Sequence, residues 1–212
     1  SKGGEVTEGA TPQMIREKIV PALVATLDNR DIHPDIRGGA LIALARAEPS
    51  RKHLDRFFSV ADRRSDENYL VKESAIVALG ILQVQNDEVR EYLLNIVRDR
   101  EYPMRGRCFA MISLGLLKDN HEDVLKELTH RISTDEVHLD VPVCALLTLG
   151  LIGDEKVVPT LVEWLAQGRA GENRLSDLER AWVISALGKI GSADALAAIR
   201  GTLKTKDLSA KR

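Results

Sequence analysis

Histidine and cysteine are the side chains that most readily bind a metal ion or act as nucleophiles, and this chain has five histidines and two cysteines. One histidine, His121, is followed directly by a glutamate, Glu122. A single pair cannot make a site that needs several histidines, and an acidic residue at a helix start has an electrostatic explanation. The remaining histidines share no regular spacing: His33, His53, His130 and His138. The sequence therefore predicts no metal site and no cofactor.

The two cysteines are not placed for catalysis either. Cys108 and Cys144 form neither a disulfide framework nor a zinc-binding spacing, and an unpaired cysteine commonly packs as a small apolar residue. Cys144 follows Pro142 in an apolar stretch, which is a poor setting for a reactive thiolate. No Ser-His-Asp order, P-loop or Gly-x-Gly-x-x-Gly motif is present. We expect a protein that is not an enzyme.

Composition argues against several classes of partner. The net charge is −2, so no strong overall field attracts nucleic acid or anionic lipid. Hydrophobic residues make up 44% and charged residues 29% of the chain, as in a globular protein. No apolar run approaches the ~20 residues that a membrane span requires. We expect no membrane interaction. The cellular location stays unknown, with an intracellular location favoured.

Five segments of the chain are copies of one another, and they decide the fold class. They end at Ala45, Gly80, Gly115, Gly150 and Gly188, with spacings of 35, 35, 35 and 38 residues. A fixed period of this length indicates helical units stacked in one direction, not a domain around one central core. Such proteins usually present a long surface to another molecule.

Each copy is predicted to be an inner helix, called B, and the stretches between the copies are predicted to be outer helices, called A. No stretch alternates with the period of two that strands require. Thr11 and Pro12 are suited to begin the first A helix. The expected A helices cover 11–27, 51–62, 87–98, 122–132, 155–167 and 193–204, and the expected B helices cover 34–47, 69–82, 102–117, 139–152 and 177–190. We expect a flexible tail over 1–10, one array over 11–207 and a second tail over 208–212.

The longest link, 168–176, accounts for the one spacing of 38 residues. Insertions in repeat proteins often lie on a binding face. Surface loops also accept extra length at little cost, and the sequence favours this second interpretation.

The repeated segment has the pattern apolar-basic-x-x-Ala-x-x-Ala-Leu-Gly-x-apolar, which Val71–Leu82 meets in full. This pattern resembles the HEAT repeat, in particular its short phycobilisome-lyase-like form, over about residues 11–205. A proline within an outer helix, as at Pro21 and Pro159, adds to the resemblance and would kink the helix. The chain departs from the pattern at Pro142 and at Glu179.

The resemblance implies an all-α, right-handed α-solenoid of about five helix pairs plus a terminal helix, with the B helices on the concave side. It implies a non-catalytic scaffold or adaptor for other proteins. Some relatives are di-iron hydroxylases with repeated His-Glu pairs, and others are phycobilin lyases. Neither activity is carried over, since this chain lacks the repeated pairs and matches no lyase motif. A role as the accessory subunit of a lyase-like enzyme is a further alternative.

One stripe of each B helix should face the concave side, because each residue turns a helix by ~100°. The stripe contains mostly apolar residues, and the repeated glycine is expected to let neighbouring B helices approach closely. Either neighbouring helices already bury the stripe, which the sequence slightly favours, or it binds a protein, a peptide or a second copy of the chain. The candidate partner-binding residues, called the inner stripe below, are Ile42, Glu73, Val77, Cys108, Ile112, Val143, Leu147 and Ser185.

The alternative from another class is phosphate binding along the A-to-B turns, as in some HEAT-like proteins that hold nucleic acid. The candidate residues, called the arginine ridge below, are Arg63, Arg64, Arg98, Arg100, Arg105, Arg107, Arg169 and Arg174. The same turns hold acidic residues that largely cancel the charge, and few aromatic residues are available for base stacking. We therefore expect nucleic-acid binding to be the less favoured function.

Overall fold

The computed structural model describes residues 9–134 and 138–204. Most of the predicted first tail, 1–8, lies outside the described residues, as do the end of the predicted array and the second tail, 205–212. Two helical layers make up the described part of the chain. The outer layer contains α1 (Pro12–Met14), a π-helical turn (Ile15–Ile19), α2 (Val20–Asp28), a 3-10 turn (Arg51–His53), α4 (Leu54–Ala61), α6 (Asp87–Arg98), α8 (Glu122–Ser133), a 3-10 turn (Glu155–Val157), α10 (Val158–Gln167) and α12 (Ala193–Lys204).

The inner layer contains the repeated segments as α3 (Pro34–Ala47), α5 (Tyr69–Ile81), α7 (Met104–Leu116), α9 (Asp140–Ile152) and α11 (Asp177–Ile190). Each of these B helices packs against the next one along the chain, and each also packs against the A helix that precedes it. This arrangement confirms the predicted all-α stack of helix pairs with a terminal helix. The observed helices follow the predicted ones closely, because the apolar pattern and the capping residues indicate the same helix bounds.

Side-chain caps fix where several helices begin. The Thr11 side chain accepts a hydrogen bond from the Met14 backbone N–H, and Pro12 follows it, as predicted. His121 is the N-cap of α8, where its Nδ1 accepts from the Asp123 N–H at 3.3 Å. The His121-Glu122 pair therefore has a structural role at a helix end.

The two prolines of the outer helices lie in different settings. Pro21 follows the π-helical turn Ile15–Ile19 in the first A helix, which fits a backbone whose hydrogen-bond ladder a proline interrupts. Pro159 was expected inside an outer helix, but it lies in the first turn of α10, after the 3-10 turn Glu155–Val157. A proline is tolerated there because the first N–H groups of a helix have no partner within the helix.

The repeated glycine is where neighbouring B helices come closest together. A Cβ atom added to Gly80 would lie 2.7 Å from the Cα of Ser113 on α7. Ser113 Oγ also donates a hydrogen bond to the Ile76 carbonyl at 2.8 Å, which ties α7 to α5. The predicted close approach is confirmed at this contact. Gly188 differs, since its nearest neighbour is Ile199 Cδ1 at 3.9 Å.

The basic residue of the repeat stabilises the preceding A-to-B connection. Arg37 Nε and Nη2 donate to the Leu27 carbonyl at 3.2 and 3.0 Å, and Lys72 Nζ donates to the Arg63 carbonyl at 2.8 Å. Arg107 Nε donates in the same way to the Val97 carbonyl at 3.1 Å. The Leu27 and Val97 carbonyls lie at helix ends that leave them without an intrahelical partner, and Arg63 lies in the turn after α4. The basic position therefore serves the fold.

The two departures from the repeat pattern also have structural explanations. Glu179 is buried and forms a capping box with Ser176 at the start of α11: its Oε2 accepts from the Ser176 N–H at 2.8 Å. Pro142 lies in the first turn of α9, where a proline costs no intrahelical hydrogen bond.

The link 168–176 contains a short antiparallel hairpin. Arg169–Ala170 pairs antiparallel with Asn173–Arg174, so the link forms a two-residue hairpin that the sequence did not predict. Ala170 is buried, and Asn173 Nδ2 donates to the Ser133 carbonyl at 2.9 Å. The hairpin is thus anchored to the end of α8.

Candidate partner-binding surface

The inner stripe is neither fully covered nor fully open. Six of its residues are partly exposed: Ile42, Val77, Ile112, Val143, Leu147 and Ser185. Glu73 and Cys108 are buried. The B helices run side by side, so the partly exposed side chains belong to successive helices, and five of the six are apolar. Their role in binding stays a prediction.

Sequence reasoning missed exposed apolar residues at the N-terminal ends of the B helices. Such side chains stand near the start of four of the five inner helices: Ile36, Tyr69, Leu70, Leu139 and Leu178. Four of them lie outside the core pattern of the repeat, which is the signal that could have revealed them, whereas Ile36 occupies the first apolar position of that pattern. These residues enlarge the apolar area offered along this edge of the B-helix row.

A cleft of about 250 Å³ opens where α3, α5 and α7 meet. It joins two inner-stripe residues from different helices, Ile42 and Val77, with the apolar side chains of Leu70 and Phe109. We call it the Glu73 cleft, and it is lined by Pro34, Asp35, Ile42, Leu70, Glu73, Ser74, Val77, Arg105 and Phe109. Five of the nine lining residues are apolar, and Asp35, Glu73 and Arg105 are charged, so the cleft combines apolar walls with groups that can fix a ligand's orientation.

The charged pair in this cleft joins the inner stripe to the arginine ridge. Arg105 Nη2 lies 3.0 Å from Glu73 Oε2, and the side chains are 63% and 10% exposed, respectively. Burial raises the pKa of Glu73 above its usual value, and the Arg105 charge opposes part of this rise. The Glu73 carboxylate is thus poorly hydrated, and a cationic partner such as Arg105 stabilises its charged form.

A raised pKa has a defined consequence for stability. The folded protein binds a proton at Glu73 more tightly than the unfolded chain does, so this group's stabilising contribution is complete below the unfolded pKa of about 4.5 and is lost as the pH rises through the folded value. Glu73→Gln should remove this contribution. The quantity to measure is the free energy of unfolding of the wild type minus that of Glu73→Gln, obtained by urea denaturation at each pH. This difference is expected to fall as the pH rises from 4 to 7. A difference that is constant or rises over this range would contradict the assignment.

The arginine ridge is largely engaged within the protein. Arg63 contacts Asp99 and Glu101 at 3.2 and 2.7 Å, and Arg98 Nε lies 2.9 Å from Glu127 Oε2. Arg169 pairs with Glu172 at 3.3 Å, and Arg105 pairs with Glu73. Arg107 was expected on the ridge, but it is buried because it serves the repeat's basic position. Arg64, Arg100 and Arg174 are the exposed members for which the structure gives no acidic partner among the described residues.

A second cleft, of about 490 Å³, lies between the hairpin and α11. Arg169 and Arg174 line it, together with Arg180, which the sequence analysis did not select. Glu172 and Asp177 line the same cleft, so the three positive charges meet two negative ones. This balance makes it a weak anion site.

The cysteines lie on neighbouring B helices. Cys108 on α7 has the thiol of Cys144 on α9 as a hydrogen-bond partner, and this bond together with burial raises the pKa of Cys108. A thiol of this kind is a poor nucleophile at neutral pH. Within residues 9–134 and 138–204, no group of three or more His, Cys, Asp or Glu side chains is arranged to hold a metal ion.

Comparison with known families adds a match over one part of the chain. Residues 179–205 match the family model described as PBS lyase HEAT-like repeat. This range covers most of α11 and continues through α12, and it includes the repeat that departs from the pattern at Glu179. Compared with curated proteins, the chain matches none of them. As far as the described residues extend, no helix combines the length and apolar content that crossing a membrane requires.

Proposed function

Because this chain is a HEAT-repeat protein built as an all-α stack of helix pairs, we propose that it is a non-catalytic scaffold that binds another protein along the inner stripe. HEAT repeats commonly mediate protein interactions. The observation that carries the proposal is the row of partly exposed apolar side chains on successive B helices, with the Glu73 cleft at one end. Water-exposed apolar area in a continuous row favours association.

The partner should offer apolar side chains spaced along an extended or helical segment. The first four B helices each contribute at least one partly exposed apolar residue to the stripe, as Val77, Ile112 and Leu147 do on α5, α7 and α9. A peptide that crosses these helices would meet the residues one after another, which is how grooves of repeat proteins select long segments. A second copy of this chain is another possible partner of the same apolar chemistry.

Nucleic-acid binding receives less support. Of the eight ridge residues, Arg63, Arg98, Arg105 and Arg169 are paired with carboxylates, and Arg107 is buried. Paired charges release few counterions on binding a phosphate backbone, so the electrostatic gain is small. A role as the accessory subunit of a lyase-like enzyme rests on the name of the matched family alone.

Ile112→Lys should weaken binding of a partner by at least about 2 kcal/mol, roughly thirtyfold, because a partner would have to bury the new ammonium group. The measurement is affinity capture from source lysate with wild type and variant side by side, followed by titration of each protein that wild type alone retains. Far-UV circular dichroism must first show equal helix content in the two proteins.

Met14→Lys is the matched control, since Met14 is exposed on the first A helix and the substitution adds the same charge away from the inner stripe. It should capture the same proteins as wild type. Light scattering distinguishes self-association, since a dimer that Ile112→Lys alone dissociates would identify a second copy as the partner. Equal capture and equal mass for all three folded proteins would refute the proposal.

A further inference from the structure

Three sulfur-bearing side chains lie where α7 packs against α9. Cys108 Sγ lies 3.8 Å from the sulfur of Met104 and 3.8 Å from the carbonyl oxygen of Asp140 on α9, one helical turn before Cys144. Cys108 is buried, whereas Met104 and Cys144 are partly exposed. The cluster therefore combines one buried residue with two partly exposed ones.

The repeat architecture explains why these residues meet. Met104 and Cys108 are four residues apart, so they lie on the same face of α7 in adjacent turns. Cys108 and Cys144 are separated by one repeat period plus one residue, which places them on adjacent B helices at nearly the same level. Both cysteines thus belong to B helices of the repeat array itself.

The geometry points to a ligand set for a soft metal ion, and we propose that Met104, Cys108 and Cys144 bind Cu(I). Thiolate and thioether sulfurs select Cu(I) among the biological metals. With a metal–sulfur distance of ~2.3 Å, as for a metal thiolate, two sulfurs of a trigonal site lie ~4 Å apart. The 3.8 Å between Cys108 Sγ and the Met104 sulfur meets this requirement for one of the three sulfur pairs.

Zinc fits the cluster less well. A structural zinc ion takes four ligands in a tetrahedron. The described surroundings of the three sulfurs add one backbone oxygen, the Asp140 carbonyl, at 3.8 Å from Cys108 Sγ. Binding of Cu(I) would displace the two thiol protons to solvent and leave the metal bound to two thiolates and one thioether, with no change in oxidation state.

The test is an anaerobic competition for Cu(I) between the reduced protein and a coloured Cu(I) chelator, bathocuproine disulfonate. Wild type is expected to withdraw one Cu(I) per chain from the chelator, and X-ray absorption of that sample should show sulfur neighbours only. Cys144→Ser is expected to withdraw none, and Met104→Leu is expected to bind about tenfold more weakly because one of three ligands is lost.

Met111→Leu is the matched control, since Met111 lies on the same helix but outside the cluster and the substitution conserves volume. It should bind Cu(I) as wild type does. Equal Cu(I) retention by wild type and Cys144→Ser would overturn the proposal, as would tighter retention of Zn(II) than of Cu(I) by wild type. If Cys144→Ser does not fold, the comparison of Met104→Leu with Met111→Leu decides, and equal affinities there would refute the site.

Discussion

Arg37→Ala is expected to lower the free energy of unfolding by about 3 kcal/mol, because it leaves the buried Glu67 carboxylate with a longer contact, 3.5 Å to Arg30 Nη2. Arg37 Nη1 and Nη2 donate to the two oxygens of Glu67 at 2.8 and 2.7 Å, and both side chains are under a tenth exposed. The variant also removes both donors to the Leu27 carbonyl at the end of α2. The measurement is urea denaturation followed by far-UV circular dichroism.

The loss should be concentrated in the first helix pair, since repeat arrays can unfold locally. Both tryptophans lie in the C-terminal part, at positions 164 and 182, so hydrogen exchange over α2 and α3 is the better local readout. Lys126→Ala is the matched control. In its ion pair with Glu122 the two side chains are 68% and 76% exposed, so the variant should lose little stability. Equal costs for the two alanine variants would contradict the assigned role of Arg37.

Gly80→Ala should destabilise the protein by about 1–3 kcal/mol, although alanine is the better helix former by ~1 kcal/mol. The added methyl group would lie 2.7 Å from the Cα of Ser113, and a backbone atom cannot move away as a flexible side chain can. Relief would require α5 and α7 to separate, with strain on the hydrogen bond from Ser113 Oγ to the Ile76 carbonyl. Thermal and urea denaturation measure the change.

Gly39→Ala provides the opposite expectation at a glycine within a B helix. Gly39 is exposed in α3, and nothing lies within 4 Å of an added Cβ. The variant should therefore be more stable than wild type by up to ~1 kcal/mol. Stabilisation by Gly80→Ala as well would mean that the inner helices have more room than the described packing allows.

Much of the fold could be predicted from the sequence, because the positions of the helices follow from residues within each repeat. Apolar spacing located the B helices, Thr11 and Pro12 marked the first helix start, and the recurring glycine predicted the contact of α5 with α7. The hairpin at 169–174 could not be predicted, since strands of two residues are too short to show alternation. The hairpin contacts α8 through the hydrogen bond from Asn173 to Ser133, two residues that are 40 positions apart in the sequence.

The candidate surface was less predictable, because exposure depends on how neighbouring helices cover each side chain. The helical phase correctly grouped Ile42 with Val77, which share the Glu73 cleft. It did not distinguish the buried Glu73 and Cys108 from the partly exposed Ile112. Arg105 and Arg107 are two residues apart, but one is exposed and the other buried, since a turn of ~200° places them on different faces.

The measurement that tests the inner stripe most directly is hydrogen exchange of the protein with and without a protein captured by wild type. Binding along the stripe should slow exchange in α5, α7 and α9, with the strongest effect near Val77, Ile112 and Leu147, and should leave the outer helices α4, α6 and α8 unchanged. Protection confined to the outer helices, or to the hairpin at 169–174, would place the interface elsewhere and contradict a scaffold that binds through its inner helices.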